Sequence, residues 1–197
     1  MQPTPSARAD RRKAVLIDGA NALFMKHTIG VDFINFAGLY QVLLHRIGIC
    51  RKMAFRPVIT LHPEFVHCQI QRQATAAGFD IVFVASKNEA DDHLILERLG
   101  PLNPREIKEI VIMTTDAGYA DTLKHKVRQG IVVHWLATKL PDRVDGRCRL
   151  SRELREQFAT GAPFHFVELA NYAAQISQCR AASTHGHGGS RTHYMHA

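Results

Sequence analysis

Short apolar runs alternate with stretches of helical spacing along most of this chain. Residues 14–17 are apolar throughout and end at Asp18-Gly19, which reads as a buried parallel strand followed by a turn. Residues 57–61, 80–85, 109–114 and 131–137 repeat the pattern, with Trp135 inside the last of them. Between these runs the spacing predicts helices. Asp32 is placed to cap one that begins near Phe33, carries Leu39, Val42, Leu43 and Ile47, and stops at Gly48. Pro63 can start the next, which closes at Gly78. Ser86 and Glu89 form a capping box ahead of a helix over 90–99, which Gly100-Pro101 ends. Another helix is expected over 118–128, closed by Gly130.

Strands that alternate with helices, through connections long enough for crossovers, predict an α/β fold. Right-handed crossovers make it a three-layer sandwich around a central, mainly parallel sheet. After Ala137 the pattern changes. Residues 138–149 are polar, basic and turn-prone, Ser151 opens a helix to 158, 164–167 suits a short edge strand, and 168–177 a last helix. The expectation is a single domain over 11–170, with its core in 13–137 and a C-terminal extension. Residues 1–10 read as a loose leader. Residues 181–197, rich in Gly, His and Ser, read as a flexible tail whose histidines suit adventitious metal.

With 197 residues, 46% of them apolar, the chain can bury a sizeable core. Lys and Arg number 25 against 18 acids, a formal charge of +7, which favours an anionic partner such as nucleic acid. No apolar run is long enough to span a bilayer, and the start lacks the apolar stretch of a secretory signal. The four cysteines, Cys50, Cys68, Cys148 and Cys179, form no Cys-x-x-Cys pair. They read as free thiols, which fits a reducing cytoplasm.

Acidic residues then stand out by position. Asp18, the Asp91–Asp92 pair and Asp116 lie at or just beyond the ends of runs that read as strands. In an open parallel sheet those ends share one edge, where ligands bind. Crowded carboxylates repel and shift one another's pKa unless a cation joins them, so a divalent metal site is the first functional reading. Asp91 and Asp92 point about 100° apart on a helix, and Asp91, nearer the strand end, is the preferred arm. Asn21 can hold a neighbouring carboxylate, and the Thr114 and Thr115 hydroxyls can do the same or orient water. Asp121 lies one helical turn beyond Asp116's loop. Lys26 and Lys87 are candidates to neutralise a phosphate, and Lys124, Lys126 and Arg128 to line a nucleic-acid path. Phe24, His27 and Tyr119 are candidates to stack on a base.

Other chemistries find no motif. The chain has no GxGxxG after its first strand, no GxxxxGK[ST] loop and no GxSxG elbow. Asp18-Gly19-Ala20-Asn21 lacks the nearby second Asp of a phosphoryl-transfer site. Metal-assisted hydrolysis remains, with Mg²⁺ or Mn²⁺ as the hard cations that suit carboxylates.

VLIDGAN at 15–21, KNEADDHLI at 87–95 and VIMTTDAGYADTL at 111–123 together resemble the NYN domains, the PIN-like nuclease group that includes LabA-like proteins. The resemblance covers about residues 13–137 and implies a PIN-like α/β domain with Mg²⁺-dependent ribonuclease activity in many members. It places the catalytic Asp on Asp18, its polar partner on Asn21, the middle acid on Asp91 or Asp92, and a third acid on Asp116. The family's Ser-Gly-Asp-Ser-Asp-Phe segment departs here, since its second Asp falls on Gly118, leaving Asp121 as the nearest substitute. The expected function is a metal-dependent endoribonuclease acting on RNA, and the alternative is an RNA-binding or regulatory module without cleavage. Two copies could pair through an exposed helix or the segment after Ala137.

Overall fold

The structure is a computed structural model and describes residues 12–49, 57–61, 63, 68–84 and 90–177. The capping box at Ser86–Glu89, Lys87, Cys50, Cys179, the leader over 1–10 and the tail over 181–197 lie outside the described residues. In chain order the elements are β1 (Lys13–Asp18), α1 (Gly19–Ile29), α2 (Phe36–Val42, continued by a π turn over Leu43–Ile47), β2 (Val58–Leu61), α3 (Cys68–Ala77), β3 (Asp80–Phe83) and α4 (Ala90–Leu99). There follow β4 (Glu109–Met113), α5 (Ala120–Arg128), β5 (Val132–Ala137), α6 (Arg152–Ala159), β6 (His165–Glu168), a 3-10 turn over Leu169–Tyr172, and α7 (Ala173–Ile176).

The six strands form one sheet in the order β3-β2-β1-β4-β5-β6. Every neighbouring pair is parallel. Helices flank the sheet to make a three-layer α/β sandwich of a generic PIN-like or Rossmann-like architecture. Right-handed crossovers put α1–α3 over one face and α4–α6 over the other. The packing agrees: α2 lies against α3, and α4 crosses β1 and β2 on its way back to β4. All six residues of β1 are buried, as a strand covered on both faces requires. The strand order reverses between β1 and β4, the switch point at which open α/β sheets hold ligands.

A helix, α1, occupies Gly19–Ile29, where the sequence pattern predicts a turn and no helix. β1 passes into α1 without a turn, and Asp18 caps that helix. The cap of α2 also differs, since Asn35, not Asp32, accepts from the Gly38 backbone N–H, at 3.1 Å. Phe33 is 59% exposed and cannot open a buried helical face. Asn35 is fixed instead by the C-terminal segment, donating its backbone N–H to the Ile176 carbonyl at 2.9 Å. Residues 168–177 form a 3-10 turn and a short helix in place of one helix, with Glu168 capping the turn. No helix among the described residues is long and apolar enough to cross a membrane.

At the opposite edge of the sheet a polar ladder crosses the strand starts. Buried Lys13 is ion-paired with Glu109. The Glu109 carboxylate also lies 2.9 Å from His134 Nε2, and His134 stacks on His165 with ring centroids 5.3 Å apart. Burial lowers the His134 pKa from its ordinary 6.5. Burial alone would raise Glu109, but the Lys13 ammonium and His134 ring outweigh it and hold it below 4.5. Both folded values lie below the unfolded ones. The stability they carry is therefore present above those unfolded values and lost as pH falls through the folded ones. The ladder's share of the stability read by urea denaturation should fall as pH drops below about 6.5. Glu109→Gln should cost about 2 kcal/mol at pH 7, because the buried ammonium loses its counter-charge, and should flatten the part of the decline below about pH 4.5.

Candidate functional site

The ends of β1 and β4 build one hydrogen-bonded unit at the switch point. Asp18 is fully buried, and its Oδ1 accepts from the Asn21 backbone N–H at 3.0 Å. Its Oδ2 accepts from Asn21 Nδ2 at 2.5 Å and from the Thr114 hydroxyl at 3.0 Å. Asn21 is held in turn by the Thr115 hydroxyl, which donates to its Oδ1. Thr114 is itself fixed, because Trp135 Nε1 donates to its carbonyl at 3.0 Å from the neighbouring strand. The Asn21 amide and the threonine hydroxyls thus do what their residue types allow, which is to orient a carboxylate without adding charge.

Gly19 lets this happen. A Cβ there would fall well inside van der Waals contact with the Thr60 carbonyl oxygen, so only glycine lets α1 begin this close to β2. Its backbone N–H points to the Thr60 hydroxyl at 3.4 Å.

The first turn of α4 supplies the second side of the cleft. Burial raises the Asp18 carboxyl to about 6 against the lowering effect of its donors, and the Asp91 charge adds to the rise. Asp91 thus lies near enough for its charge to be felt at Asp18. Asp92 instead receives the hydroxyl of Tyr119. Tyr119 is wholly buried, so its ring has no face to offer a base, contrary to the stacking role expected of it. Burial first, and then the charges of Asp18, Asp92 and Asp91, push its hydroxyl pKa far up, which leaves it a permanent donor.

Asp116 joins that unit through its backbone, whose N–H donates to the Thr114 hydroxyl at 3.1 Å, while Asp121 lies in the first turn of α5. Asp116 is exposed, and its Oδ1 accepts from the Gly118 N–H at 2.9 Å in a turn on its own loop. The Asp121 carboxylate is 91% exposed and pairs with Lys124 at 3.2 Å. Among the described residues no three carboxylate, imidazole or thiol groups converge closely enough to hold a metal ion.

The basic candidates also separate. Lys26 lies in the last turn of α1, roughly 12 Å along the helix from Asp18 at the usual rise per residue. Its ammonium stands 5.9 Å from the Phe33 ring centroid. Lys126 is buried and donates to the Gly100 and Leu102 carbonyls at 2.7 and 2.5 Å, fastening the end of α4. It lines no nucleic-acid path. Phe24 and His27 are exposed on α1.

Oxygen is the donor type that a hard divalent cation takes. All four acids offer oxygen, and an ionised carboxylate has about four acceptor positions. Three on Asp18 are used by its donors, one on Oδ1 and two on Oδ2, which leaves about one on Oδ1. No protein-family model matches the chain, and no curated protein or solved structure matches it.

Proposed function

We propose that the chain is a PIN-like, NYN-type endoribonuclease that hydrolyses RNA phosphodiester bonds with a carboxylate-bound Mg²⁺ or Mn²⁺. The observation that carries this reading is the buried Asp18 carboxylate at the switch point, locked by Asn21 and Thr114 and raised to about 6 by burial and by Asp91. A buried acid placed against a second acid gains most from a cation between them. The bound ion would polarise the scissile phosphate and lower the pKa of an attacking water. Asp18 would be its fixed arm, Asp91 its second arm, and Asp92 and Asp116 the acids flanking the cleft. Asn21, Thr114 and Thr115 keep the Asp18 carboxylate in one orientation. Lys26, Lys124 and Lys87 would attract the RNA backbone, consistent with the formal charge of +7.

A second reading, an RNA-binding module without cleavage, is favoured by Gly118 and by the way Asp116 turns back onto its own loop. One substitution separates the two. A Cβ at Gly118 would meet only the Asp116 carboxylate, at 3.6 Å or beyond, so a side chain fits there. Gly118→Asp would set a second carboxylate beside Asp116. If the wild-type cleft is a nuclease lacking one acid, the variant should cleave RNA about tenfold faster in Mn²⁺ at unchanged RNA affinity. Wild-type protein that binds RNA but shows no cleavage in Mg²⁺ or Mn²⁺ supports the binding module. A parallel panel of single-stranded DNA and small phosphate esters would expose a broader phosphatase.

A further inference from the structure

Tyr119 carries more than packing requires. A phenylalanine would fill the same buried space, yet here a hydroxyl reaches from the loop after β4 to Asp92 on the first turn of α4. That bond joins two elements that approach the cleft from opposite sides of the chain order. The donor is buried and the carboxylate half-buried, so the bond is a directional tether whose loss water can partly make good at Asp92. Successive helical residues point about 100° apart, so fixing Asp92 also fixes the direction of Asp91.

We propose that Tyr119 is a positioning residue: its hydroxyl anchors Asp92, and through it the first turn of α4, so that Asp91 is the arm presented to Asp18. The inference rests on the metal-centre reading above and names the residue that sets its second arm. Asp92 is thereby an anchor more than a ligand, since the hydroxyl occupies part of its acceptor capacity. Tyr119 touches no reacting atom and acts only through Asp92.

The test uses the full chain with Tyr119→Phe, Asp92→Ala and the double substitution. Mn²⁺ uptake is followed by calorimetric titration, and amide hydrogen exchange is followed in α4. Tyr119→Phe keeps the ring and should leave the thermal midpoint close to wild type. It should weaken Mn²⁺ binding about tenfold, in the range seen when a group behind a metal ligand is removed. It should also speed exchange of the α4 amides that bond back to the carbonyls of its first turn. In the Asp92→Ala background the same substitution should add nothing, because the acceptor is already gone. Superimposable Mn²⁺ titrations for wild type and Tyr119→Phe, or effects of the two substitutions that simply add, overturn the proposal. A wild type that takes up no Mn²⁺ sinks the metal centre, and the exchange data then decide the anchoring role separately. Faster exchange in Tyr119→Phe upholds it, and unchanged exchange overturns it.

Discussion

Asp18→Asn should reduce metal-dependent RNA cleavage about a thousandfold while leaving the protein folded, the loss expected when an ion worth several kcal/mol of charge stabilisation loses its fixed arm. The fold tolerates the change because asparagine caps a helix as well as aspartate does. Its new amide N–H would face Asn21 Nδ2, a conflict worth about 1–3 kcal/mol. Against that, the ionised Asp18 is itself a burden at neutral pH. Its carboxyl rises from 3.8 to about 6 on folding, which corresponds to about 3 kcal/mol. The sign follows from the direction: with the folded value above the unfolded one, Asp18 stabilises fully below pH 3.8. That contribution is lost as pH rises through about 6. Metal-free wild type should therefore lose stability from Asp18 across this window, and Asp18→Asn should lack that component. The polar ladder at the far edge has the opposite sign, so the difference between the two proteins isolates Asp18. Undiminished cleavage by Asp18→Asn, or identical stability-against-pH curves, contradicts the assignment.

Much of this architecture is legible because covered parallel strands must be continuous apolar runs. Residues 14–17, 109–114 and 131–137 announce β1, β4 and β5, and Asp18, the last residue of β1, marks its end. Chemistry carried by neighbouring residue types was legible too: Asn21, Thr114 and Thr115 beside an acid are groups that orient carboxylates, and they do. What sequence spacing cannot give is direction around a helix or a partner far along the chain. Asp121 lies one turn from the cleft loop, yet the helix turns it to solvent and Lys124. Asn35 displaces Asp32 as a cap because Ile176, on the last helix, accepts its backbone N–H. Tyr119 looked like an aromatic for stacking, and only the approach of α4 shows its hydroxyl bound to Asp92. Asp116 likewise spends one oxygen on its own turn, which spacing alone does not show.

Gly19→Ala should be the most damaging small change in the site. Gly19 does not adopt a left-handed backbone, so alanine strains no dihedral angle there. The obstacle is contact: the added methyl would overlap the Thr60 carbonyl oxygen and the Leu61 side chain. A strand carbonyl in the middle of a sheet has nowhere to go in an interior packed as densely as a crystal. The start of α1 must lift instead, at a cost of about 3 kcal/mol. For a domain of this size that lowers the thermal midpoint by roughly 6–12 °C. The same displacement moves Asn21 and the cap around Asp18, so cleavage by the molecules that remain folded should fall as well. Gly38→Ala supplies the control. Its methyl would overlap the Gln175 carbonyl where α2 meets α7, an equally tight approach that positions nothing in the cleft. That variant should lose stability but keep its turnover per folded molecule. If both variants lose stability and turnover in the same proportion, Gly19 is only a packing residue. If Gly19→Ala alone slows turnover, the close approach of α1 to β2 is what sets the Asp18 carboxylate in place.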